Sequence, residues 1–284
     1  TSDTRAMIDY SFDVIAGCRL LQKFLKVPRI VFGIEDNKPE CIARYRELVK
    51  NEQNMEVMPL KAMYPQGGEK VLIYHVTGEK VPEGKLPLDV GAVVLNCTTI
   101  SSIARYCRTG LPLVKKCVTV DGSAVKNPMN VLVPIGMRMK DVFEATGGFK
   151  EEPKMVLYGG PMMGIAVPDL EQPILKNTNA ILAFGEAEAT PPEPTACIKC
   201  GKCIAHCPLS LMPCEMETAY KKGNIERLMH LKVNLCMECG CCSFICPAHR
   251  PLVQTNKLAK AQVMAYKNAL KAKAEAEKQK EAAK

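Results

Sequence analysis

One cysteine pattern, used twice, constrains this chain more than any other feature. Cys197-x2-Cys200-x2-Cys203-x3-Cys207-Pro208 recurs as Cys236-x2-Cys239-x2-Cys242-x3-Cys246-Pro247. Three thiolates two residues apart reach three corners of a cubane within about one turn of backbone. The fourth corner must come from elsewhere, and the Pro after the distant Cys turns the chain away. In this bacterial-ferredoxin run the fourth Cys serves the other cluster. The spacing therefore assigns Cys197, Cys200, Cys203 and Cys246 to one [4Fe–4S] cluster, and Cys236, Cys239, Cys242 and Cys207 to a second. A chain built this way carries electrons.

Three other readings compete. Structural zinc also uses paired CxxC, but four ligands satisfy it, and two complete runs ending in Cys-Pro exceed that need. Disulfides require an oxidising compartment, and no secretory signal is present. A cytosolic thiol–disulfide motif shows a single CxxC after a strand. The other seven cysteines (Cys18, Cys41, Cys97, Cys107, Cys117, Cys214 and Cys241) lack ligand spacing and read as buried, inert thiols. Cys241, between two ligands, is the one most easily mistaken for a ligand.

Composition narrows the class. At 284 residues and 47% hydrophobic, the chain has room for two or three domains with real cores. No window approaches the ~18 consecutive apolar residues of a membrane span. The net charge of +8 is uneven: from Lys257 to Lys284 there are eight Lys against three Glu. That tail reads as a solvated helix, frayed or disordered at its end, and its lack of a clear apolar face argues against a membrane-surface helix. Nucleic acid fits less well still, given the absence of Trp, few aromatics and no binding motif. The sequence opens on Thr1 in a helix-like segment, Thr4–Lys26, so processing or truncation ahead of it is expected.

The first hundred residues alternate strand and helix. Arg29–Ile34 reads as a strand, followed by a helix over Glu40–Asn51 with Asp36 or Asn37 as cap and Pro39 in its first turn. Met55–Leu60 is a second strand, Val71–Thr77 a helix after Gly67-Gly68, Ala92–Asn96 a third strand, and Thr98–Cys107 a helix stopped by Gly110. This alternation predicts an α/β layer with a mostly parallel sheet. From Leu113 the texture turns to β: Lys116–Val120 and Val131–Ile135 around a turn, a helix Met139–Thr146, and strands Met155–Tyr158 and Ala180–Phe184, an α+β module. Gly159–Gly164 between them reads as a structural turn. Glu186–Pro194 reads as a linker. The cluster module comes next, with helices at Pro213–Tyr220 and Ile225–Leu231, so it is helical and ferredoxin-like. His206 and His249, beside cluster ligands, read as surface residues.

Several phrases in fixed order then carry a resemblance: Gly33-Ile-Glu-Asp-Asn-Lys-Pro39, Tyr64-Pro-Gln-Gly-Gly-Glu-Lys70, Val125-Lys-Asn-Pro128, Asn130-Val-Leu-Val133, Gly159-Gly-Pro-Met-Met-Gly164, and both cysteine runs with Cys239-Gly-Cys-Cys242. Over nearly its whole length the chain resembles the RnfC (RsxC) family, the peripheral NADH-side subunits of Rnf ion-translocating ferredoxin:NAD oxidoreductases. The resemblance implies a flavin/NADH α/β domain like the flavoprotein subunit of respiratory complex I over residues 1–112. It implies an SLBB-like β-grasp module over 113–185, a linker at 186–195, a two-cluster domain over 196–256 and a basic tail over 257–284. Family members carry, ahead of this region, a glycine-rich loop and an acidic Asn-Gly-Ala-Glu-type segment that build most of the NADH and FMN site. This chain is expected to hold only part of that domain.

The flavin contacts expected here are Gly67, Gly68, Glu69 and Lys70 at a helix start, where backbone N–H groups meet a phosphate. Glu35, Asp36, Asn37 and Asn96 join them at carboxyl ends of expected strands. The plainer reading of each is a turn or a cap. What the resemblance implies is a membrane-pump subunit, with FMN splitting hydride from NADH into single electrons and two [4Fe–4S] clusters relaying them to other Rnf subunits. It would sit peripherally, through those partners, at the cytoplasmic face of the bacterial membrane. The rivals are a soluble flavin-linked reductase serving a metallocofactor such as a corrinoid, and a non-catalytic cluster-bearing scaffold.

Overall fold

A computed structural model describes residues 1–282 and divides the chain into two compact units, 1–190 and 191–284.

The first unit opens with α1 (Ser2–Asp9) and α2 (Ser11–Leu25). The expected single helix over Thr4–Lys26 is thus two, broken at Tyr10, whose backbone leaves helical geometry at ψ 24°. Strand β1 (Ile30–Glu35), helix α3 (Pro39–Val49) and strand β2 (Met55–Leu60) form one crossover unit. The two strands pair in parallel from Ile30↔Met55 to Glu35↔Leu60. Helices α4 (Glu69–Thr77) and α5 (Cys97–Thr109) come after them. Tyr45 of α3 is fully buried among Val14, Ile15, Ile34 and Ile100, and its hydroxyl donates to the Met7 carbonyl at 3.1 Å. Gly17 sets how closely α2 meets α5: a Cβ there would lie 2.3 Å from the Ile100 carbonyl oxygen.

Two expectations fail in this layer. Asp36 and Asn37 do not cap α3; its cap position is Lys38, which makes no side-chain capping bond, with Pro39 in the first turn. Ala92–Asn96 is not a strand. Its apolar residues Val93 and Leu95 are exposed, and Asn96 instead caps α5 by accepting the Thr98 N–H at 2.8 Å. Apolar character without a neighbouring edge to pair with does not make a strand.

The rest of the unit is a five-stranded sheet, order β4-β3-β7-β5-β6, of β3 (Lys115–Asp121), β4 (Met129–Pro134), β5 (Met155–Tyr158), β6 (Ile165–Ala166) and β7 (Ala180–Phe184). Only β3 and β7 run parallel. Helix α6 (Met139–Ala145) places Met139 and Phe143 on Val118, Val120 and Ile181, all essentially inaccessible. Gly122 turns out of β3 at φ +117°, where a Cβ would meet the Ala183 carbonyl oxygen at 2.1 Å. A short α7 (Glu186–Ala189) occupies the start of the stretch read as linker.

The second unit contains only helices and turns among its described residues: α8 (Lys202–Ala205), α9 (Pro213–Lys221), α10 (Ile225–His230), α11 (Cys241–Phe244) and α12 (Leu252–Ala282). Helix α12 begins inside the region read as cluster module, and its first turns are core, not tail. Ala259 and Val263 join Leu211, Met216, Leu228 and Val233 in one apolar cluster. Leu252 and Val253 pack with Cys203 and Cys242 in another. From Met264 to Gln279 the side chains are exposed. The last two residues of the basic tail lie outside the described residues.

Candidate metal centres and flavin face

The cysteine motif writes the same backbone twice, 39 residues apart. Lys199 and Glu238 take φ values of 57° and 61°; Gly201 and Gly240 take 73° and 85°; Ser210 and His249 take 52° and 49°. The hydrogen bonds repeat as well. Cys207 N–H donates to Ile204 and Ser210 N–H to Cys207, as Cys246 does to Ser243 and His249 to Cys246. Each run thus loops through left-handed residues into one turn of helix, α8 or α11, which ends just before its fourth Cys. Left-handed backbone turns the chain sharply enough for neighbouring side chains to face a common centre.

Cys207 leaves its own run and joins the other. One hollow is lined by Cys207, Cys236, Cys239, Cys241 and Cys242, with Leu211, Val253 and Asn256. Among the described residues no three His, Cys, Asp or Glu side chains draw together as they would on one small ion. Burial, then the neighbouring Cys236 and Cys239, pushes the Cys242 thiol up to about 12, and burial raises Cys236 as well. Cys207, Cys236, Cys239 and Cys242 around one hollow form the soft thiolate donor set that an iron–sulfur group takes, its iron replacing the thiol protons. Cys207 has a further stabiliser: the Leu211 N–H points at its sulfur at 3.3 Å. Lys260 donates to the Cys236 carbonyl and to Glu238, each at 2.9 Å.

The other four cysteines stand differently. Cys197 and Cys200 are exposed, Cys246 is half-buried and Cys203 is buried. The Thr195 N–H donates to the Ala248 carbonyl at 3.0 Å, which brings the approach to Cys197 alongside the exit from Cys246. Arg250 binds the same place. Its Nη1 donates to the Thr195 carbonyl at 3.0 Å, while Nε and Nη2 form a fork on Glu217 at 2.7 Å each. Lys221 adds a third donor to Glu217 at 2.9 Å. Burial pushes the Glu217 carboxyl up, and the hydrogen bonds from Arg250 and Lys221 more than offset it, leaving it below the usual range. No motif announces this network, because Glu217 and Arg250 are 33 residues apart.

Of the cysteines read as inert, Cys18 and Cys41 are buried as expected, whereas Cys107 is exposed on α5. Cys214 touches Cys203, and burial followed by that neighbour raises the Cys203 thiol to about 11. Cys241 stands against Cys239. His206 and His249 are exposed.

In the first unit, Glu35 ends β1 at the carboxyl edge of the parallel pair, and Asp36 and Asn37 follow it in the turn. Their side chains are engaged locally. Asp36 accepts the Ala62 N–H at 3.0 Å and so ties the loops after β1 and β2, while Lys38 contacts both Glu35 and Asn37. Gly68 caps α4 in extended geometry, Gly67 has open space where a Cβ would stand, and Glu69 begins the helix. Lys70 donates to the Lys85 carbonyl at 3.2 Å. Leu72 and Val76 of α4 lie over Gly33, so this helix packs on the same strand whose end carries Glu35. Asn96 stands apart in role, as the cap of α5, with Cys97 beside it reaching the Asp3 carbonyl at 3.7 Å. A separate cleft between α1 and the β3/β4 edge, lined by Arg5, Asp9, Tyr10, Cys117 and Asn130, involves none of these residues.

Comparison with known proteins adds the context. The family model for the Nuo51 FMN-binding domain matches residues 1–105, and that for the SLBB domain matches residues 117–166. The C subunit of the proton-translocating ferredoxin:NAD(+) oxidoreductase complex of Clostridium ljungdahlii is 42% identical over 213 residues, 75% of this chain and 46% of that protein. Its Na(+)-translocating counterpart from Acetobacterium woodii is 38% identical over 267 residues, 94% of this chain and 60% of that protein. The C subunit of the ion-translocating oxidoreductase complex of Rhodobacter capsulatus is 35% identical over 266 residues, 93% and 51% of the two chains. The chain spans about half the length of these curated relatives.

Proposed function

This chain belongs to the C-subunit family of ion-translocating ferredoxin:NAD(+) oxidoreductase complexes, and we infer that it relays electrons within such a complex through two [4Fe–4S] clusters. Cys197, Cys200, Cys203 and Cys246 would hold one, and Cys236, Cys239, Cys242 and Cys207 the other. The observation that carries this reading is the hollow shared by Cys207 with Cys236, Cys239 and Cys242, the crossover that a two-cubane module requires. When bound, the clusters supply one-electron steps and FMN converts hydride chemistry into them.

The protein's part is placement and electrostatics. Left-handed loops aim the thiolates, the Leu211 N–H stabilises the Cys207 sulfur, and apolar cover from Leu211 and Val253 keeps water from the second hollow. FMN is proposed for the first unit, against Gly67, Gly68, Glu69 and Lys70 and the Glu35–Asn37 edge, with Asn96 at the start of α5. NADH would be the reductant of the longer protein. Partners are the remaining subunits of the complex, with peripheral attachment at the cytoplasmic membrane face. Among the described residues no helix is long and apolar enough to cross a membrane. The relatives' names favour this reading over a soluble reductase for a corrinoid.

Anaerobic reconstitution tests it. Roughly eight iron and eight sulfide per chain, with cubane EPR signals on reduction, are expected. About four iron, or zinc, would refute the two-cluster assignment. Retained FMN with NADH-dependent reduction of an artificial acceptor supports the flavin site; clusters without flavin restrict this chain to the relay.

A further inference from the structure

Arg250 sits where two ligand-bearing segments meet. Its guanidinium holds the Thr195 carbonyl, two residues before Cys197, while Arg250 itself comes four residues after Cys246. The Thr195–Ala248 backbone bond lies beside it. The other edge of the guanidinium is locked in a fork on Glu217, a carboxylate only 2% exposed. Planar two-point bonding of this kind fixes orientation as well as position. Negative charge at Cys197 and Cys246 bears on Arg250, whose guanidinium reaches the Thr195 carbonyl through Nη1 and Glu217 through Nε and Nη2. The backbone repeat puts Leu211 at the corresponding place near the second hollow, so the second site has an apolar residue there.

We propose that Arg250 is a positioning residue for the first cluster. It staples the Cys197 and Cys246 segments together and makes that cluster easier to reduce than it would be without the cation, with Glu217 moderating the effect. Reduction adds one negative charge at the site, and a neighbouring cation stabilises the reduced form more than the oxidised form. The inference rests on the two-cluster reading above.

Redox titration of the reconstituted chain, followed by EPR, tests it. The first site is identified as the signal that Cys200→Ser removes. Arg250→Gln removes the charge and keeps donors; its first-site potential is expected to fall by about tenfold in reduction equilibrium, about 59 mV for one electron. Arg250→Lys keeps the charge and should restore most of that loss. Glu217→Gln leaves the cation uncompensated and should raise the same potential. The second site should hold steady in all three. A purely architectural role moves Arg250→Gln and Glu217→Gln in the same direction, or moves both sites together, and either result overturns the proposal. If Arg250→Gln fails to assemble the first cluster, the Glu217→Gln shift decides alone: upward supports the proposal, unchanged or downward overturns it. A wild-type chain with no cubane iron overturns the underlying reading and this inference with it; a wild-type chain with about eight iron and no opposite shifts overturns the inference alone.

Discussion

The two cysteine runs have the same spacing and the same backbone, yet one site lies open and the other is covered. Cys197 and Cys200 are exposed, while Cys239 and Cys242 are buried and Cys236 is half-buried. The difference comes from the helices into which each run leads. After Cys207 the chain enters α9 and α10, whose Met216, Ala219 and Leu228 build the core that also covers Cys236 and Cys207. After Cys246 it enters α12, which packs inward through Leu252 and Val253 and leaves Cys197 and Cys200 at the surface. Exposure and hydrogen bonding to sulfur are among the determinants of cluster potential. Two sites made from one pattern are thus set apart by their cover.

The most damaging way to break this comparison is to exchange the crossover ligands. Cys207→Ser should strip the second site and leave the first, and Cys246→Ser should do the reverse. Each variant should hold about four iron with one surviving EPR signal. If each substitution instead harmed the run that contains it, the crossover would be wrong.

The covering core comes next in size. Met216→Ala and Leu228→Ala each remove a fully buried side chain, and each should cost about 2–5 kcal/mol in denaturant unfolding of the holo chain. Because this core touches Cys207 and Cys236, second-site iron should be lost first. Equal loss from both sites would mean the cover is shared.

How far these features are legible in sequence depends on range. The spacing names eight cysteines, and short, largely apolar runs name β2, β5 and β7 at their observed ends, Met55–Leu60, Met155–Tyr158 and Ala180–Phe184. Local pattern misleads where tertiary context rules. Ala92–Asn96 has strand composition and no strand to pair with, and the start of α12 at Leu252 is masked by a Lys- and Ala-rich sequence that continues past the core. The Glu217–Arg250 fork joins residues 33 apart, which no window reports. The helix break at Tyr10 has no Pro or Gly to announce it.

A kinetic comparison reads the cover directly. Under an iron chelator in anaerobic buffer, the first-site EPR signal should decay several-fold faster than the second, since chelator reaches exposed Cys197 and Cys200 without opening the fold. Met216→Ala should narrow the gap by speeding the second site. Equal rates in the wild type would show that both sites lose iron only on global unfolding.

The smallest effect concerns Cys241, which takes the place in the second run that Lys202 takes in the first. It lines the hollow beside Cys239, and burial followed by contact with Cys239 pushes its thiol up to about 12. Cys241 falls outside the Cys-x2-Cys-x2-Cys spacing that serves three corners of one cluster, and its counterpart in the first run is not a cysteine. Cys241→Ser should therefore keep full iron content and both EPR signals, with a stability change under about 1 kcal/mol. Cys241→Lys, which copies the first run, should be worse, because it puts a long charged side chain at a covered hollow where Lys202 has open solvent. If Cys241→Ser instead lost second-site iron while Cys242→Ser kept it, the ligand would be Cys241, and the two runs would differ in spacing as well as in cover.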